Sequence, residues 1–156
     1  VNAEVLGLFG YVNGYNTVDT AFPIVAAQDG YQSLDAILSF GSDNLLQTMI
    51  GSQSARSGDA MPSRTTGFVF GGRSDDTTII QRVGSSSYSY STASATNLTP
   101  SGSLYIGACN TPDGPTFSGS GGRLAMAGVS ATAFDATDMV ALDTATTTLQ
   151  TALSRA

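Results

Sequence analysis

Residues 67–92 read GFVFGGRSDDTTIIQRVGSSSYSYST, and their pattern decides the fold class. Phe68 and Phe70 alternate with other residues, as do Ile79, Gln81 and Val83. Tyr88 and Tyr90 follow in a run otherwise made of hydroxyl side chains. Residues two apart share one face of an extended chain, so each run reads as a half-buried strand. Gly71-Gly72, Asp75-Asp76 and Gly84 stand between or beside the runs and favour turns. Short strands joined by glycine-rich turns, with no helix between them, predict antiparallel sheets packed as a sandwich.

The same rhythm extends outward. Val5, Gly7, Phe9 and Tyr11 alternate on the amino-terminal side, and Leu34, Ala36, Leu38 and Phe40 alternate against Ser33, Asp35, Ile37 and Ser39. Leu46, Thr48 and Ile50 form a further run, then Leu104, Ile106 and Ala108, then Leu124, Met126 and Gly128. Turn signals punctuate them at Asn13-Gly14, Asp29-Gly30, Asp113-Gly114-Pro115 and Gly119 to Gly122. No internal repeat is visible. The carboxyl end changes period: Asp135 is suited to N-cap a helix, Asp138 adds charge to its first turn, and Met139, Leu142, Leu149 and Leu153 recur at helical spacing. The spacing predicts one helix over 136–153. Its threonines (Thr144, Thr146, Thr147 and Thr148) lower its intrinsic propensity, so the stripe needs a surface to dock on. The chain divides into a sandwich over 1–134 and a helical segment over 135–156, docked on the sandwich or on a neighbouring subunit.

Composition excludes much chemistry. The 156 residues include 11 Asp, one Glu and six Arg, but no Lys, His or Trp, and Cys109 is the single cysteine. Without His there is no Ser-His-Asp triad or imidazole metal site, and without Lys no P-loop or Schiff base. One cysteine makes no internal disulfide. A net charge of −6 argues against nucleic acid and anionic membrane surfaces as partners. The stretch Val1 to Tyr11 lacks a basic start and a small-residue cleavage site, and is not expected to be a signal peptide. Twenty Ser and 19 Thr beside 41% apolar residues describe a folded β surface decorated with hydroxyls rather than a disordered chain.

Three motifs resemble the concanavalin A-like (laminin G-like) jelly-roll domains. GFVFGGRSDDTTIIQRVG (67–84) resembles their F-x-G-x-R…Q hairpin, and SGSLYIGACNTPDGP (101–115) the following strand and turn. GGRLAMAGVSATAFDATDMVALDTATTTLQTAL (121–153) resembles their closing strand, loop and short helix. Residues 1–66 match only in strand rhythm. Val83 precedes the hairpin Gly84 where such domains often carry Asn, and the chain begins after what would be the fold's first strand. The resemblance implies an all-β, two-sheet antiparallel jelly-roll sandwich with one carboxy-terminal helix. Domains of this kind occur in bacteriophage fibre and head-decoration proteins and in bacterial secreted proteins. It therefore implies a virion location, or alternatively a secreted or cell-surface one. Surface glycan or other virion proteins are the implied partners, and a homo-oligomer, trimeric in a phage particle, the implied assembly.

The functional residues are weighed on that frame. Glycosidases need two carboxylates flanking the sugar, and Glu4, Asp29 and Asp35 do not supply that arrangement, so no catalytic residue is assigned and no enzyme activity is expected. Asp75 and Asp76, and likewise Asn110 and Asp113, offer oxygens to a hard cation. No spaced D-x-D-x-D loop supports one, and Asx-type turns aided by Ser74 and Thr77, or shaped by Pro112 and Pro115, account for both. No metal or cofactor is expected. Arg64, Arg73, Arg82 and Arg123 are expected to pair with aspartates. The aromatic pair Tyr88 and Tyr90 suits stacking on a sugar ring, or packing between sheets. The ligand-binding set is therefore Tyr88, Tyr90, Arg73, Asp75, Asp76, Asn110 and Asp113. A non-catalytic surface module that attaches to glycan is the first reading, and a purely structural particle component is the second.

Overall fold

The computed structural model describes residues 6–13, 22–29, 33–40, 45–51, 53–60, 66–94, 103–111, 114–117 and 123–154. Twelve strands precede one helix: β1 (Gly7–Asn13), β2 (Phe22–Asp29), β3 (Ser33–Phe40), β4 (Leu45–Ile50), β5 (Gln53–Ala60), β6 (Thr66–Asp75), β7 (Thr78–Val83), β8 (Ser86–Ser91), β9 (Ser103–Ile106), β10 (Ala108–Thr111), β11 (Gly114–Phe117), β12 (Leu124–Ser130) and α1 (Ala136–Ala152). One five-stranded sheet has the order β12-β1-β6-β7-β8, the other β5-β4-β3-β2-β9, and β10-β11 pair as a hairpin. All pairings are antiparallel. The chain crosses between the sheets after β1, β5 and β8, and returns to the first sheet at β12, in the manner of a jelly roll. This is the expected two-sheet sandwich with one carboxy-terminal helix. Among the described residues no helix is long and apolar enough to cross a membrane.

Period-2 alternation sorts the side chains. Leu8, Val12 and Val69 from the first sheet meet Ile24, Leu38, Phe40, Leu46 and Ile50 from the second, all fully buried. Toward β7 this interior turns polar. Gln81 donates through Nε2 to the Leu46 carbonyl (3.2 Å) and to Thr48 Oγ1 (2.7 Å), joining the two sheets. The first sheet buries its outer face as well. Tyr11, Phe68, Phe70 and Ile80 form a second cluster there, closed by Met139 of the helix, and Phe134 stacks on Phe70 with centroids 5.2 Å apart.

The helix starts where the sequence places it. Asp135 accepts from the backbone N–H groups of Thr137 (2.7 Å) and Asp138 (2.9 Å), while Asp138 accepts from the Asp135 N–H (3.1 Å), a reciprocal capping box. Thr144 and Thr148 donate their hydroxyls to the carbonyls of Val140 and Thr144, each at 2.8 Å, which satisfies them within the helix. Docking departs from the expected stripe. Met139, Thr146 and Gln150 are buried, whereas Leu149 and Leu153 remain 49% and 46% exposed. Thr146 and Gln150 fall within about 20° of Met139 around the axis, and Leu149 lies about 80° away. The ion pair between Asp143 and Arg82 of β7 (2.7 Å) fixes that rotation.

Two further readings are corrected. Gly71-Gly72 is no turn but lies inside β6, with Gly71 opposite Leu8 and Gln81. A Cβ on Gly71 would crowd Thr48 across the sandwich, so the glycine serves close sheet packing. The run Leu104 to Ala108 is not one strand. Gly107, at φ 68°, separates β9 from β10.

Candidate functional site

Strand β8 is the edge strand of the first sheet among the described residues and carries the aromatic pair. The β7–β8 hairpin turns through Gly84 and Ser85, with Gly84 at φ 55°, the backbone that a two-residue hairpin requires at its first central position. Tyr88 stands opposite Gln81 and Tyr90 opposite Ile79, so both rings occupy the face directed between the sheets, at its rim. Both are half-buried. Their centroids lie 6.3 Å apart with an interplanar angle of 18°, giving two nearly parallel rings in a row. The intervening Ser87, Ser89 and Ser91 point to the opposite face and are exposed.

The β6–β7 turn borders this edge. Asp75 pairs with Thr78, leaving Asp76 and Thr77 at the tip. The Asp75 carboxylate accepts from the Thr77 N–H (2.8 Å), the Thr77 hydroxyl (3.1 Å) and the Ser74 hydroxyl (3.4 Å). The Thr77 backbone bond foremost, then one from the Thr78 hydroxyl and these side-chain bonds, hold the Asp75 carboxyl below the ordinary carboxylate value. The turn is thus of the Asx type, with Ser74 and Thr77 in the helping roles the sequence suggests. Thr92 joins the turn to the end of β8, through its N–H (2.7 Å) and hydroxyl (3.2 Å) to the Thr77 carbonyl. No pattern in the sequence marks Thr92 for this task.

Arg73 lies inside the sandwich and not at its surface. It is 1% exposed, and its guanidinium donates to the carbonyls of Ile50 (3.2 Å), Asp76 (2.7 Å) and Asp75 (3.3 Å) and to Thr92 Oγ1 (3.4 Å). Desolvation pulls its pKa below the ordinary arginine value, against the opposing pull of Asp75 and Asp76. A short loop that ends in two aspartates gives no hint that the arginine before it turns inward. Its acceptors are carbonyls from three positions, not the aspartate side chains expected. Arg82 does take an aspartate partner. Its Nε and Nη2 meet Asp143 Oδ2 at 2.8 and 2.7 Å, and its Nη1 donates to Ser87 (3.1 Å).

Tyr88, Tyr90, Asp75 and Asp76 therefore share one end of the molecule. Asn110 does not join them. It lies in β10, opposite Pro115 in the β10–β11 hairpin, which packs by β2 toward the other end of the second sheet. Asp113, Glu4 and Arg64 fall outside the described residues. Among the described residues no three acidic or cysteine side chains converge as a metal site.

No family model matches this chain, and a search of curated proteins finds no match either. Among solved structures the chain is similar to an ancestral congerin, Con-anc, at 14% identity and a TM-score of 0.41, over 83% of this chain and 95% of the congerin. Similarity this low leaves the functional reading to the chain's own residues.

Proposed function

We propose that this chain is a non-catalytic carbohydrate-binding sandwich of a particle or secreted-surface appendage, and that it holds glycan at the β8 rim. The observation that carries the reading is the Tyr88–Tyr90 pair, two nearly parallel, half-buried rings in an edge strand of serines. Sugars present C–H faces that stack on aromatic rings. A rigid sheet edge presents the ring pair without ordering a loop. Tyr88→Ala with Tyr90→Ala, compared with the parent chain on a glycan array, is expected to remove the signal while thermal unfolding stays cooperative. Undiminished binding by the folded double variant refutes this placement of the site.

A structural role in an assembly has its own observation. At the opposite rim Leu104, Ile106 and Val129 are 49%, 57% and 41% exposed, beside a shallow cleft of about 320 Å³ between β12 and the β9–β10 bend. Exposed apolar clusters of this kind mark contact surfaces. Under this reading the copies of the chain associate, a trimer being the form the family resemblance implies, and light scattering at micromolar concentration reads the mass directly.

A further inference from the structure

We infer, on the reading that glycan binds at the β8 rim, that the site discriminates against anionic sugars and takes uncharged ones. Recognition of a uronate, sialic acid or sulfate calls for a cation placed to meet it, most often an arginine with free N–H groups. Among the arginines whose side chains are described, Arg82 on the adjacent strand β7 and Arg73 on β6 are engaged internally. Arg73 is buried with its guanidinium on carbonyls and a threonine hydroxyl, and Arg82 is bound to Asp143 and Ser87. The remaining described arginine side chain, Arg123, precedes β12, at the far end of the same five-stranded sheet.

What borders the site instead is negative. Asp75 and Asp76 are both exposed. Asp75 pairs with Thr78, which pairs with Ser91 next to Tyr90, so the acidic turn lies two strand spacings from the site, about 10 Å. The bonds Asp75 accepts from Thr77 favour its ionised form. Two unit charges at about 10 Å in water weaken binding of a singly anionic sugar about fourfold at low ionic strength. At roughly 0.1 M salt, where the screening length matches that distance, the factor falls below about twofold.

The test takes the neutral glycan with the strongest array signal and its counterpart with one hydroxymethyl group oxidised to carboxylate. Both are titrated calorimetrically in low-salt buffer. The expected result is binding weaker by about fourfold or more for the carboxylate, a gap that closes with added salt and halves in either Asp75→Asn or Asp76→Asn. Equal or tighter binding of the carboxylate, or array hits confined to sialylated, uronate or sulfated glycans, overturns the inference and leaves glycan binding at this rim standing. An array with no hit for the folded chain overturns both.

Discussion

Replacing Gly71 by alanine tests how closely the two sheets approach at the polar end of the interior. The added methyl would sit 2.6 Å from Thr48 Cγ2 and 2.8 Å from Thr48 Cβ, and closer still to the hydroxyl. Unstrained carbon contacts need about 3.5–4.0 Å, so one strand must retreat by about 1 Å. Thr48 cannot rotate away freely, being fully buried and held by Gln81 Nε2 at 2.7 Å. Overpacking of this kind costs about 1–3 kcal/mol, and loss of the Gln81–Thr48 bond adds about 1 kcal/mol. Stiffening of the unfolded chain returns about 0.4–1 kcal/mol. The net is about 1–3.6 kcal/mol, or a fall in Tm of roughly 2–14 °C for a chain of this size. Thermal unfolding followed by circular dichroism, with urea unfolding beside it, measures the loss. The same substitution on a Thr48→Ala background should cost at least about 0.5 kcal/mol less, since the two side chains share one space. A Gly71→Ala protein within about 0.5 kcal/mol of the parent, or strict additivity with Thr48→Ala, refutes the close approach and returns Gly71-Gly72 to a turn.

Two other outcomes follow from the same contacts. Asp143→Ala removes the helix's ion pair to Arg82, whose two side chains are 11% and 18% exposed, and should lower stability by about 1–2 kcal/mol, between the values for exposed and fully buried pairs; protease sensitivity after residue 135 should rise with it. Because the Asp75 pKa is depressed in the folded chain, the stability it supplies is complete above the ordinary carboxylate range and is lost as pH falls through the depressed value, so Asp75→Ala should flatten the decline in Tm below about pH 4 while a retained decline identifies another carboxylate as its source.

How far the sequence could be read depended on which force sets each element. Strands β4 and β8 alternate in burial, so period two reveals them; β6 and β7 bury residues of both faces and are marked by their apolar runs, and the helix start is a local matter of Asp135 and Asp138. Strand β2 (FPIVAAQD) escapes because bulges between Pro23 and Val25 and between Ala27 and Gln28 break its period. Strand β5 (QSARSGDA) has no apolar alternation and is an edge held by pairing with β4, a non-local cause invisible in its own residues. Gly71-Gly72 has the composition of a turn, but its glycines answer to Thr48, 23 positions upstream of Gly71, and to the Phe70 ring. Arg73 is the sharpest case. Its acceptors include Ile50 and Thr92, brought to it only by the completed sandwich.

The same packing decides where this molecule can meet a ligand. Its interior between the sheets is filled by Leu8, Phe40, Leu46 and their neighbours, and the outer face of the first sheet is closed by Met139 over Tyr11 and Phe68. What the sandwich offers on this sheet is its two rims, and they differ in chemistry. The rim at β12 and β9 is apolar, with Ile106 and Val129 exposed, and suits contact with another protein surface. The rim at β8 sets two tyrosines beside an acidic turn, with Arg73 turned inward and Arg82 paired to Asp143 of the helix. A sandwich with one apolar rim and one rim of paired tyrosines can be held in an assembly by the first while the second takes the proposed sugar, so the adhesive and structural readings divide the molecule between them instead of competing for one surface.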